Sequence, residues 1–328
     1  SRMGGKTIAL YLATTAVAVT IGLLMVNVIK PGDKMSKKQK SKLQEQGKKE
    51  AGEMNFSADK MGTDKLKENV KNANKANASG PLAPLVNMVP DNFMSSASDN
   101  KKMLQVVFVS LLIGIALVQV PADKRKPVFA LFQGLQEVVI KVVFIIMLIA
   151  PAAVFALIAE VITTMAKGDP SNIFNLFKTL GWYCLCVVAG LLVHLCVVYL
   201  GLLKILTPMS LKQFFNGMGP AQLLAFSSSS SGATLPVTMK RCEEKLGISK
   251  ETSSFVLPLG ATINMDGTAL YQAIATVFIG QVMLDVPFSF ATQVNIVLLT
   301  VLASIGTAAV PGAGMVMLIV ILEGVWPA

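Results

Sequence analysis

Ser227-Ser228-Ser229-Ser230-Ser231-Gly232-Ala233 sits in the middle of residues 211–239, a stretch whose only charge is Lys212. Five serines and a glycine make a poor helix centre and a good loop. Basic groups stand on either side: Lys204 before the stretch, and Lys240, Arg241, Lys245 and Lys250 after it. Such groups between apolar runs mark the cytoplasmic face of a membrane protein, so the chain leaves one side and returns to it. That behaviour predicts a helical hairpin over 211–240 that enters the bilayer without crossing it. Non-helical backbone at membrane depth is tolerated only where it is buried in protein or lines a cavity, which puts the serine tip in the interior.

The same logic applies to residues 288–326, again long and apolar. Their centre reads Ser304-Ile305-Gly306-Thr307-Ala308-Ala309-Val310-Pro311-Gly312-Ala313-Gly314. Pro311 has no amide hydrogen and disfavours a continuous helix, and the glycines around it permit unusual dihedral angles. A second hairpin is expected there. Two broken hairpins flanking residues 251–284 match the arrangement that builds midplane sites in secondary transporters.

Working outward, composition agrees. Charged residues make up 15% of the 328, against about 25% in soluble domains. No charge interrupts 103–122, 142–159, 179–203 or 286–322, and about 20 apolar residues suffice to cross a bilayer. Spans are expected over 7–30, 103–120, 128–162 (broken near Pro151) and 173–206, giving an all-α polytopic membrane protein. The predicted organisation is a helix over 1–30, a lysine-rich polar insert over 31–102, further helices over 103–206 and a core over 207–328. The loop 121–127, with Lys124, Arg125 and Lys126, reads as cytoplasmic, and Lys167-Gly168-Asp169-Pro170 as a turn. No chemistry is assigned to the insert, whose mixed charge reads as a solvated surface. The net charge of +10 is concentrated there and in short loops, with no basic groove and interleaved aromatics of the kind nucleic acids need. Four cysteines supply no disulfide framework. Cys184, Cys186 and Cys196 share an apolar run with the single histidine, His194, and all four read as buried core.

Candidate chemistry lies in Gly260-Ala261-Thr262-Ile263-Asn264-Met265-Asp266-Gly267-Thr268. A carboxylate in hydrocarbon is expensive and faces the bundle interior, paired or cation-bound. Asn264, Thr262 and Thr268 stand beside Asp266 as oxygen donors, and Gly260 and Gly267 can unwind the helix to expose carbonyls. Oxygen ligands suit a hard cation, and the absence of nearby His and Cys argues against a transition metal. In the first helix Tyr11, Thr14 and Thr15 share one face by their i, i+3, i+4 spacing. They either bond back to their own helix or offer an oxygen face to a cation. Hairpin ends expose backbone N–H groups suited to an anionic solute group. The residues therefore point to cation-coupled uptake of a small, carboxylate-bearing solute. An intramembrane enzyme would need a base beside the serines; an ion channel could use the same broken hairpins; a purely structural scaffold leaves Asp266 without a purpose.

Three ordered motifs carry a resemblance. Ser228–Pro236 (SSSSGATLP) resembles the first re-entrant loop of the dicarboxylate/amino acid:cation symporters, the glutamate transporter family. Asn264-Met265-Asp266-Gly267-Thr268 is similar to that family's broken seventh helix, and Ser304–Gly314 to its second hairpin. The resemblance implies a glutamate-transporter-like fold with hairpin one at 211–240, a broken helix at 251–284 and hairpin two at 288–326. It implies a chain that begins at the third helix and stops before the last, expected to be a fragment of a longer gene, with a complete chain not competent alone as the alternative. It also implies three sodium sites: Tyr11, Thr14, Thr15, Asn264 and Asp266 in one, Gly260 and Asn264 in a second, and Thr262, Ser304, Ile305 and Thr307 in a third. Substrate would touch Ser229, Ser230, Ser231, Thr268, Val310 and Gly314. The expected activity is sodium-coupled symport of aspartate, glutamate or related dicarboxylates, with alanine, serine or threonine as the alternative substrates. Sodium is the coupling ion, no organic cofactor or nucleic acid is implied, and no catalytic residue. A multi-pass homotrimer in the plasma membrane, a bacterial inner membrane, is the implied setting.

Overall fold

The computed structural model describes residues 2–35, 40–41, 44, 89–98, 103–149, 151–153, 155–156, 158–159, 163, 171–283, 288–307, 309–310 and 312–325. Among them every regular element is helical. Most of the lysine-rich insert, the 167–170 turn, Ala308 and Pro311 lie outside the described residues. Among the described residues two stretches, Met3–Lys34 and Phe177–Leu206, are long and apolar enough to cross a membrane by length and composition.

The chain divides into two compact units, one of Ser1–Asn87 with Lys178–Ala328, the other of Met88–Phe177. The first begins with α1 (Arg2–Ile29) and a 3-10 turn, Pro31–Lys34. The second holds α2 (Phe93–Ala97), α3 (Met103–Gln119) and α4 (Ala122–Met147). Asn92 caps α2 through its side-chain oxygen, and Ser96 donates to Gln105 of α3 at 2.7 Å. Lys124, Arg125 and Lys126, expected in a loop, lie instead in the opening turns of α4, because Pro121 at the cap and the helix formers after it start the helix early. Phe129, Leu131, Val138 and Ile145 stay exposed, as lipid-facing positions would.

The chain returns to the first unit along α5 (Ser171–Val193), which runs into a π-helical turn, His194–Tyr199, and then α6 (Leu200–Leu206). Four more helices follow as two pairs: α7 (Leu211–Ser228) with α8 (Ser231–Leu246), and α9 (Lys250–Ile263) with α10 (Asp266–Met283). A last pair, α11 (Phe290–Gly306) and α12 (Ala313–Val325), closes the unit. Serine starts four of these helices: Ser210, Ser230, Ser249 and Ser289 each accept a backbone N–H of the first turn, removing one orphan donor per helix. Gly247, at φ 70°, ends α8 in the left-handed conformation. The serine run is therefore much less loop than its composition suggests. Only Ser229 and Ser230 interrupt helix, with Ser229 held at φ 50°.

The core forms where α1 and α10 run side by side. Ala18, Val19, Leu23 and Val26 pack with Ala269, Leu270, Ala273, Ile274 and Val277, joined by Ile296 of α11 and Cys186 of α5. Small residues let the backbones approach, the usual basis of helix association in lipid. At Gly22 a Cβ would fall 2.9 Å from the Leu270 carbonyl oxygen. Beyond α1 the 3-10 turn docks on the end of α10. Gly32 N–H donates to Gln281 Oε1 at 3.0 Å, Lys40 Nζ to the Gln281 carbonyl at 2.8 Å, and Gln44 Nε2 to the Met283 carbonyl at 2.9 Å. Lys40 and Gln44 thereby satisfy backbone carbonyls that a helix C-terminus leaves without partners, while Gly32 anchors the turn through the Gln281 side chain.

Candidate functional site

The junction of α9 and α10 consists of Asn264 and Met265. Helical bonding reaches it from one side, with Asn264 N–H on the Gly260 carbonyl at 3.0 Å, and resumes on the other, with Ala269 N–H on the Met265 carbonyl at 2.9 Å. Gly260 and Gly267 do not unwind anything; both lie within regular helix. At Gly260 the missing side chain serves close approach instead, since a Cβ there would sit 2.8 Å from the Tyr11 hydroxyl. Asp266 opens α10, where the positive end of the helix favours its carboxylate.

Asp266 is 3% exposed, and its two oxygens face different partners. Oδ1 accepts Thr15 Oγ1 at 2.6 Å. Oδ2 accepts the Tyr199 hydroxyl at 2.5 Å and lies 3.3 Å from His194 Nε2. Thr14 Oγ1 donates to Asn264 Oδ1 at 3.0 Å, and the Asn264 amide nitrogen lies 3.4 Å from the Tyr199 oxygen. Tyr11 donates its hydroxyl to the Val256 carbonyl at 3.0 Å, while its own carbonyl lies 3.0 and 2.8 Å from the Thr14 and Thr15 oxygens and shares their hydroxyl hydrogens with Asn264 and Asp266. The reading that the threonine hydroxyls bond back to their own helix is realised, and the same hydroxyls also touch the Asn-Met-Asp break. Tyr11, Thr14, Thr15, Asn264 and Asp266, expected together, are brought together. The carboxylate, amide oxygen, hydroxyls and carbonyls form a hard-oxygen set of the kind an alkali cation takes.

The expectation that no histidine stands near Asp266 is corrected by the structure. His194 is buried and reaches the carboxylate across 72 positions of sequence, through a π turn that the 3.6-residue periodicity of an apolar run does not reveal. Tyr199 is hidden in the sequence for the same reason, although a histidine and a tyrosine five apart in a run free of charge are polar groups that lipid would not tolerate unpartnered. Among the described residues no group of three or more His, Cys, Asp or Glu side chains could hold a metal ion.

Thr262, Ser304, Ile305 and Thr307 occupy the C-terminal ends of α9 and α11, two helices that pack together. Their hydroxyls turn back to carbonyls of the preceding turn: Thr262 to Leu259, Ser304 to Val301 and Thr307 to Ala303. Two negative helix ends of this kind suit a cation.

A cavity of about 260 Å³ lies between the tips of the α7–α8 and α11–α12 pairs and the start of α10. Ser229, Ser231, Thr268, Val310 and Gly314, all expected at the substrate, line it, joined by Met265, Tyr271, Thr307 and Met315. Ser230 does not line it. Its hydroxyl donates to the Ala309 carbonyl at 2.8 Å, and the same carbonyl accepts Gly232 N–H at 3.1 Å. One carbonyl oxygen therefore ties the two tips together. The starts of α8 and α12 both open on the cavity, so two helix N-termini address whatever occupies it.

Comparison with known proteins follows the same outline. Residues 1–326 match the family model described as the sodium:dicarboxylate symporter family. The chain is 33% identical to an excitatory amino acid transporter of Caenorhabditis elegans over 99% of its own length and 66% of the relative's. It is 31% identical to human excitatory amino acid transporter 2, over 99% of this chain and 60% of that protein. Against the proton/sodium-glutamate symport protein of Geobacillus stearothermophilus the identity is 31%, over 98% of this chain and 68% of that protein. The chain thus spans about two thirds of the length of the relatives it matches.

Proposed function

The chain belongs to the sodium:dicarboxylate symporter family, and on that premise we propose that it forms most of a sodium-coupled symporter of acidic amino acids, aspartate or glutamate. The relatives carry names of excitatory amino acid transporters and a proton/sodium-glutamate symporter. The observation that carries the reading is the pairing of two sites within one break. A hard-oxygen cluster around Asp266 adjoins a cavity lined by Met265 and Thr268, on either side of it in the chain. A cavity of about 260 Å³ is below the range of drug-sized pockets and suits a small solute.

In this reading the α7–α8 and α11–α12 pairs are re-entrant hairpins, and α9–α10 is one broken transmembrane helix. Residues 1–30 and 103–206 supply further spans of a multi-pass protein of the plasma membrane, assembled as a homotrimer, with 31–102 inserted between them. Sodium binds as a co-transported substrate: at Tyr11, Thr14, Thr15, Asn264 and Asp266; at the carbonyls of Gly260 and Asn264; and at Thr262, Ser304, Ile305 and Thr307. Ions ordering the break shape Thr268 and the tip residues Ser229, Ser231, Val310 and Gly314 for the solute, while Ser230 holds the tips shut. Sodium and solute then strengthen each other's binding, as symport requires. The family is one of carriers, so no catalytic residue is assigned.

The test is uptake of radiolabelled aspartate into proteoliposomes holding the complete gene product, with and without sodium, and with glutamate, alanine and serine as unlabelled competitors. Saturable, sodium-dependent uptake blocked by glutamate alone is the expected result, and Asp266→Asn should abolish its sodium dependence. Competition by alanine or serine would move the protein to neutral amino acids. Flux that does not saturate would replace the carrier by a channel.

A further inference from the structure

We propose that Tyr199 is a positioning residue for the sodium site, and that the π-helical turn His194–Tyr199 exists to place it; this rests on the symport reading above. The two oxygens of Asp266 divide their work. Oδ1 faces the α1 oxygens through Thr15, and Oδ2 is held from behind by Tyr199 at 2.5 Å. The same phenol oxygen receives the Asn264 amide nitrogen at 3.4 Å, which turns Asn264 Oδ1 toward Thr14. One hydroxyl thus aims the oxygens of both members of the Asn-Met-Asp break at α1. An ion gathered by Thr14 and Thr15 meets a carboxylate and an amide already facing it.

The π turn makes this placement possible. In an α-helix residues five apart point about 140° away from each other. Bonding from i to i+5 brings them onto one side, so the His194 and Tyr199 rings meet edge to face, with centroids 4.8 Å apart and planes at 76°. Both then converge on Oδ2, His194 through the tautomer with hydrogen on Nε2. His194 Nδ1 is buried and, among the described residues, has no hydrogen-bond partner. A turn that leaves a buried ring nitrogen unpaired is not arranged for stability alone. Groups outside the ligand shell that orient the ligands commonly change ion affinity by about 10–100-fold when removed.

The experiment uses the purified complete gene product in detergent. Thermal stabilisation is titrated with sodium in the absence of amino acid, choline replacing sodium to keep ionic strength constant. Tyr199→Phe keeps the ring and removes the hydroxyl. Its sodium half-saturation is expected to rise about 10-fold or more, while aspartate half-saturation measured at saturating sodium stays within about threefold, since Tyr199 does not line the cavity. Tyr199→Met removes the same hydroxyl with a more adaptable side chain and gives the same result should the Phe variant not fold. Tyr183→Phe, on the same run but stacked on Phe278, keeps the wild-type titration. An unchanged sodium titration in a folded Tyr199 variant overturns the inference alone. A wild-type protein that shows no sodium response overturns the symport reading and this inference with it. Equal weakening of sodium and aspartate titrations also overturns it, because that is what a general structural role would give.

Discussion

Gly232→Ala tests the clasp between the two hairpin tips, and its size can be worked from the structure. A Cβ at Gly232 would fall 3.0 Å from the Ala309 carbonyl oxygen and 3.5 Å from the Ala309 Cβ. The obstacle is backbone, so the tips must separate by a few tenths of an ångström, and that separation strains both bonds to Ala309. Each such bond is worth about 1 kcal/mol net, so the closed arrangement loses up to about 2 kcal/mol, or roughly 30-fold in the closed-to-open ratio. Alanine also raises helix propensity by up to about 1 kcal/mol. That gain applies to closed and open states alike and cancels from the ratio. Ser230→Ala removes one of the two bonds and should shift the ratio by about fivefold. Spin labels at Leu223 and Ile319, both exposed, report the distance between the pairs by pulsed electron resonance in a cysteine-free background. A longer-distance population growing in the order wild type, Ser230→Ala, Gly232→Ala is expected. Identical distance distributions in all three would refute the idea that Ala309 holds the tips together.

Three further outcomes follow from the same packing. Gly22→Ala pushes its Cβ against the Leu270 carbonyl at 2.9 Å, and overpacking of this kind costs about 1–3 kcal/mol; a lowered thermal midpoint in detergent checks it. Lys30 sits at φ 48° just past α1, a conformation that costs an L-residue about 1–2 kcal/mol, so Lys30→Gly should raise that midpoint by a few degrees, and no rise would mean the strain is absorbed elsewhere. Gly314→Ala would place a Cβ 2.9 Å from both Thr268 Cγ2 and the Tyr271 hydroxyl; aspartate affinity should fall at least tenfold while sodium-dependent stabilisation persists, and equal loss of both would contradict the separation of the two sites.

Much of this arrangement is legible in the sequence because polar residues in hydrocarbon must be explained. Asp266 without a neighbouring charge, the Tyr11/Thr14/Thr15 face and the two interrupted apolar stretches each announce a partner inside the protein. The identity of the partners is less accessible. Thr15 and Asp266 are 251 positions apart, a relation that no local pattern encodes. The π turn escapes because one extra residue per turn changes no composition and blurs only the period. Ser230 is indistinguishable from Ser229 and Ser231 in a run of five, yet its hydroxyl fastens the tips while its neighbours face the cavity. Gly260 reads as a helix breaker, but its neighbour across the interface, Tyr11, gives it a different purpose.

The parallel pairing of α1 with α10 has a consequence for biosynthesis. The Thr15 and Asp266 halves of the cation site leave the ribosome far apart in time. At roughly 5–20 residues per second, the aspartate emerges some 10–50 seconds after the threonine. The π turn precedes it on the chain, so Tyr199 and His194 are already made when Asp266 arrives. Every partner of the carboxylate, Thr15, His194 and Tyr199, is thus synthesised before the charge that needs it.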